Sequence, residues 1–211
     1  MDTWTQWLYY LEITTLVTGL TYLLLSLRQN PWCWPIGIVS VSCWLIVVFH
    51  GKLYLDAFLQ FVYIILGFYG WYQWRRGNHG SPLKVRRIRS REVAALTVFF
   101  VVATPVCGYT AYTIGADMGY LDAITTTLSL MAQLLLTRKV LETWLLWFVA
   151  NGMYIYIYYT KGWDSLTFLM SVYTVLAAVG WWSWRKDYLS NLLKLKTHED
   201  TDVAGVKPSV Y

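Results

Sequence analysis

Trp144, Trp147, Asn151 and Tyr154 stand at i, i+3, i+7 and i+10, so a helix through them carries all four on one face. Shifted back by 110 residues, the same face reads Trp34, Gly37, Val41 and Trp44. A second pair, Gln60 and Tyr63, lies at i, i+3, with Gly67 and Gly70 continuing its face; Tyr173 repeats Tyr63 at the same shift, while Met170 replaces Gln60. Indole and phenol faces suit flat heteroaromatic rings, cationic ones above all. Amides among them would read ring substituents or ribose hydroxyls. The residues expected to bind substrate are therefore Trp34, Trp44, Gln60, Tyr63, Trp144, Trp147, Asn151, Tyr154 and Tyr173. A plainer reading stands beside this one. Amides in hydrocarbon also join helices, and aromatic side chains near helix ends anchor them at the membrane surface, the role expected of Trp71, Trp74, Trp181 and Trp184.

Other chemistry is poorly supplied. His50, His79 and His198 fall in loops, a tail or helix ends, and Cys33, Cys43 and Cys107 lack metal-ligand spacing. No lysine lies in Trp163–Trp184 to form a Schiff base, and no phosphate-binding loop is present. Neither an enzyme, a metal nor a cofactor is expected. Glu12 and Asp122 occupy equivalent positions toward helix ends. Carboxylates inside a membrane mark proton paths, but near an interface they are solvated. Asp56, Asp164 and Glu142 fall at helix starts, where negative charge suits the helix dipole.

The elements that position these residues must cross a bilayer. Of 211 residues, 57% are hydrophobic and 14% charged, about half the charge of a soluble domain. The apolar residues come in blocks near the roughly 20 residues a crossing requires. The blocks are Leu8–Leu27, Trp34–Phe49, Leu53–Trp74, Val93–Ile114, Tyr120–Thr137, Val140–Thr160 and Trp163–Trp184. Seven crossings with the N-terminus outside place 15 of the 17 Lys and Arg residues on the cytoplasmic side, leaving Lys52 and Lys161 outside. Topology thus accounts for the net charge of +5, with no nucleic-acid footprint.

The 110-residue shift extends through whole helices. Phe58, Leu59, Val62, Tyr63, Gly70, Trp71, Trp74 and Arg75 coincide with Phe168, Leu169, Val172, Tyr173, Gly180, Trp181, Trp184 and Arg185. Two parallel three-helix repeats are expected, residues 1–75 and 118–187. A basic loop and linker helix over 76–117 supply the extra crossing, and a cytoplasmic tail follows over 188–211. The fold class is all-α integral membrane, 3+1+3. Parallel repeats of this kind enclose substrate near the midplane, at their interface.

Three stretches carry a family resemblance: Asn30–Gly37 (NPWCWPIG), Tyr54–Trp74 (YLDAFLQFVYIILGFYGWYQW) and Leu121–Asn151 (LDAITTTLSLMAQLLLTRKVLETWLLWFVAN). They resemble the PnuC family of bacterial vitamin transporters. The resemblance implies a SWEET-like fold in full-length form, a homotrimer in the bacterial inner membrane, and uptake of nicotinamide riboside by facilitated diffusion. A cytoplasmic kinase would then trap the substrate. It carries substrate contact onto Gln60, Tyr63, Trp144, Trp147 and Asn151. Thiamine and riboflavin are carried by relatives, so thiamine is the alternative substrate, and a sugar is the alternative of another class. A receptor gains no support.

Overall fold

Seven helices account for most of the computed structural model, which describes residues 3–50, 54–77, 83–113 and 119–203. They are α1 (Thr3–Leu27), α2 (Cys33–His50), α3 (Tyr54–Arg76), α4 (Ser90–Thr113), α5 (Gly119–Thr137), α6 (Thr143–Thr160) and α7 (Asp164–Val203). Most bounds lie within a turn of those expected. Leu53 and Ile114, expected at helix ends, fall outside the described residues, as do His79 and the side chains of Asp56 and His198.

Among the described residues, four helical stretches are long and apolar enough to cross a membrane by themselves: Gln6–Leu27, Cys33–His50, Ser90–Thr113 and Asp164–Thr197. α5 is less apolar for a physical reason. Thr125, Thr127, Ser129 and Gln133 are all buried, so its polar side chains face protein and are spared contact with lipid. α4 does the opposite, turning Val98, Val101, Val102 and Val106 outward. Pro105 stands inside this helix, which continues through it.

α1 packs on α2, α2 on α3, α3 on α5, α5 on α6, α6 on α7 and α7 on α1, closing a ring of six helices; α4 packs on α5. The 110-residue offset recurs in the turns. Gln29 and Lys139 both take a left-handed backbone, with φ of 54° and 49°. Asn30 and Val140 then donate to the carbonyls of Leu25 and Leu135 at 3.0 and 3.1 Å. This is the Schellman closure of a helix end, made here without glycine. The basic residues beside these turns define one end of the bundle, called the basic end below.

α7 differs from expectation. It runs 40 residues without interruption, about 60 Å at 1.5 Å per residue, or twice a bilayer core of roughly 30 Å. The segment expected as a tail from residue 188 is therefore helical through Val203. No glycine or proline occurs between Trp181 and Val203 to end the helix.

Candidate functional site

Four tryptophans close the basic end of the ring. Trp34 meets Trp74 edge-on at 5.4 Å and 89°, and Trp144 meets Trp184 at 5.4 Å and 88°. Trp74 and Trp184 touch at 5.9 Å, joining the two pairs. Their indole N–H groups cross over reciprocally: Trp74 Nε1 donates to the Leu136 carbonyl at 3.1 Å, and Trp184 Nε1 to that of Ser26 at 3.2 Å. Both partners and both acceptors are 110 residues apart. Each inner tryptophan lies flat on a glycine, Trp34 on Gly70 and Trp144 on Gly180, so close that an added Cβ would sit 2.4 Å from the ring. Trp74 and Trp184 were expected as surface anchors; they are instead 3% and 0% exposed. Their N–H groups found protein carbonyls, which a lipid-facing ring at that depth would lack. Trp71 and Trp181 are half-buried at the rim.

Beside this cluster lies a cavity of about 140 Å³ between two groups of three helices, the triplets α1–α3 and α5–α7. Tyr22 comes from α1; Trp34, Gly37, Ile38, Ser40 and Val41 from α2; Tyr63 and Gly67 from α3; Gln133 from α5; and Trp147 from α6. The Tyr22 hydroxyl donates to Gln133 Oε1 at 3.2 Å, bridging the triplets. Ser40 Oγ donates to the Thr15 carbonyl at 2.9 Å, fixing α2 on α1. Bulk is exchanged between the two walls. Gly37 makes room for the Tyr22 ring, which an added Cβ would approach to 2.7 Å. At the equivalent positions, 147 carries Trp and 132 carries Ala.

The connection between α3 and α4 is strapped across the basic end. Val85 is buried among Trp74, Trp184, Leu136 and Leu141. Arg86 pairs with Val140 as a parallel bridge, its N–H reaching the Lys139 carbonyl at 3.1 Å and its carbonyl accepting from Leu141 at 2.9 Å. The Arg86 guanidinium grips Glu92 with two bonds of 2.6 Å. Glu142, expected at the start of α6 for the helix dipole, stands at its N-cap without a side-chain capping bond and accepts from Ile88 N–H at 2.9 Å and from the Arg87 side chain. α6 consequently starts at Thr143, after the residues the strap has claimed. Lys139, 6% exposed, holds its ammonium 4.6 Å over the Trp74 ring and 3.4 Å from Gln29 Oε1, while Gln29 donates to Asp187. Burial pushes the Lys139 amine down to about 8.

With that geometry in place, the family can be read from the sequence match. The family model described as nicotinamide mononucleotide transporter covers residues 9–186. The chain belongs to that family. Among curated relatives of this transporter family, the nicotinamide riboside transporter PnuC of Neisseria mucosa is 27% identical over 71% of this chain, an alignment spanning 62% of the Neisseria protein. PnuC of Escherichia coli is 24% identical over 83% of this chain and 84% of its own. The riboflavin/roseoflavin transporter RibM of Streptomyces davaonensis is 26% identical over 79% and 81%. A crystal structure of the vitamin B3 transporter PnuC superposes with a TM-score of 0.67 at 24% identity, covering 84% of this chain and 81% of that one. The chain shares its fold.

Of the residues singled out in the sequence of this family member, Trp34, Tyr63 and Trp147 line the cavity. Trp144 is buried behind it in the tryptophan cluster. Asn151 is 5% exposed, one turn along α6 from Trp147. Gln60 is half-buried, one turn along α3 from Tyr63. Tyr173 lies at the α1–α7 contact, its hydroxyl 3.4 Å from where a Gly19 Cβ would stand. Tyr154 stacks on Tyr158 at 5.7 Å, toward the opposite end of the bundle. Trp44 is 37% exposed and does not reach the cavity. Tyr22, Ser40 and Gln133 were missed. A lone amide in the middle of α5 is a signal that could have found Gln133.

Proposed function

We propose that the protein is a carrier for a vitamin precursor, nicotinamide riboside, working by facilitated diffusion. The observation that carries this reading is the ring-lined cavity between the triplets, where Trp34, Trp147, Tyr22 and Tyr63 surround a single amide, Gln133. The names of the PnuC relatives supply the substrate class. At about 30 Å³ per water the cavity holds about five waters, well below the roughly 300–1,000 Å³ of open ligand pockets. Substrate entry therefore requires the two triplets, within residues 1–75 and 118–187, to rock apart, with the linker of 76–117 between them.

The basic end faces the cytoplasm of a bacterial inner membrane in this reading, with the N-terminus outside. A cytoplasmic kinase adds a phosphate of about −1.5 to −2 charge, which an apolar pathway rejects, so uptake runs without an ion gradient. Glu12 and Asp122 then have no part in coupling. Assembly as a homotrimer follows the family resemblance.

Purified protein in ion-free liposomes should take up labelled nicotinamide riboside down its gradient. Strict dependence on a proton or sodium gradient would refute the uncoupled mechanism. Competition by thiamine, riboflavin and glucose separates the substrates. The likeness to RibM makes riboflavin the second reading, and stronger competition by riboflavin or thiamine than by nicotinamide riboside would install that ligand instead.

A further inference from the structure

We infer that Gln133, oriented by Tyr22, reads the carboxamide of a nicotinamide-type ring bound in the cavity. The inference rests on the proposed substrate class and adds the residue that selects within it.

Gln133 is 8% exposed on α5 and shares the cavity wall with Trp34 and Trp147. A glutamine amide offers two donors on nitrogen and two lone pairs on oxygen. The Tyr22 hydroxyl donates to Gln133 Oε1 at 3.2 Å, which takes one lone pair. Gln133 Nε2 then points its two N–H groups elsewhere, and no described residue accepts from it. Trp34 Nε1, 1% exposed in the same wall, is buried without an acceptor. Folded proteins leave few buried donors unpaired, because each costs the desolvation of its group. Donors in excess around a ring-sized space match a ligand that brings acceptors.

The pair exists on one side only. At the 110-residue offset, Tyr22 corresponds to Ala132 and Gln133 to Leu23. A ring held between Trp34 and Trp147 thus meets an amide from one side of the cavity only, which sets its orientation. A primary carboxamide completes the arrangement: its carbonyl accepts from Gln133 Nε2, and its NH₂ donates to the second lone pair of Oε1. A ring carboxylate brings acceptors alone and a charge into a buried site. A ring with no substituent leaves Nε2 unpaired.

The test titrates the full-length protein in detergent with three probes: nicotinamide riboside, nicotinic acid riboside and N-ribosylpyridinium. The wild type should bind nicotinamide riboside roughly tenfold to hundredfold more tightly than either analogue, the value of one or two well-made hydrogen bonds in a buried site. Gln133→Leu should bring the three affinities together, lowering that for nicotinamide riboside most, whereas a merely structural role would lower all three equally. Gln133→Met, of equal length without the amide, gives the same readout should the leucine variant fail to fold. Tyr22→Phe, which frees the amide to flip, should lose part of the preference. A preference that survives both Gln133 variants, or an equal loss for all three probes, overturns the assignment alone. Failure of the wild type to bind any of the three overturns the substrate class, and the assignment with it.

Discussion

Replacing Gly180 with alanine tests whether the inner tryptophans are trapped. The new Cβ would stand 2.4, 2.5 and 2.6 Å from Trp144 ring atoms, against an optimum of roughly 3.5–4.0 Å for carbon pairs. The ring must retreat by about 1 Å, and it has nowhere to go: Trp144 is 1% exposed and edge-on to Trp184, which is 0% exposed. Overpacking of this kind costs about 1–3 kcal/mol, offset by about 1 kcal/mol of helix propensity gained when glycine becomes alanine. Gly152→Ala supplies the control. It lies in α6 with nothing within 4 Å of its added Cβ, so it keeps the gain and none of the cost. The two variants should therefore differ by about 1–3 kcal/mol, or about 2–12 °C in Tm for a chain of this size. Thermal unfolding in detergent, followed by tryptophan fluorescence, reads the difference. Gly70→Ala, against Trp34, should fall with Gly180→Ala. Equal melting of Gly180→Ala and Gly152→Ala would refute the trapped-ring reasoning, and divergence of Gly70→Ala from Gly180→Ala would refute the equivalence of the two packings.

Two further outcomes concern the basic end. Because the Lys139 amine is depressed to about 8 from 10.5, the unfolded chain holds more protons between those values, and stability should rise with pH across that window. Lys139→Met should erase the rise in a pH series of melting curves; a wild type whose stability falls from pH 8 to 10.5 would contradict the burial of the amine. Glu92 ties the strap to α4. Glu92→Gln, which gives up the charge-assisted pair with Arg86, should expose the Arg86 and Leu141 amides to faster hydrogen exchange than in the wild type at neutral pH. Slow exchange in the variant would show that the strap does not depend on this carboxylate.

The helices were legible in the sequence because a bilayer demands a fixed length of apolar chain, and because the 110-residue offset matches residues of α1–α3 to those of α5–α7. The orientation of aromatic side chains was less so. Protein interior and lipid are equally apolar, so burial of an aromatic side chain leaves no compositional trace in a membrane helix. Trp74 and Trp184 therefore look like surface anchors until their N–H groups are followed to Leu136 and Ser26. The i, i+3 rule found Tyr63 and Trp147 on the cavity wall but also named Trp44 and Tyr154, which do not line it. Tyr22 and Gln133 meet across 111 residues of chain, and nothing local in either helix announces the partner. The strap was equally silent: Arg86 joins Lys139 and Leu141 through backbone atoms, which any side chain permits.

The exchange of bulk between the two walls has an evolutionary consequence. A pair of identical triplets built from the first copy would confront two tyrosines with two glycines; one built from the second would crowd two indoles beside two alanines. Neither ancestor-like dimer reproduces the present lining, which needs one contribution of each kind. Once each copy had yielded at the position where the other grew, the duplication ceased to be redundant. From then on neither half of the gene could be discarded or exchanged for its sibling.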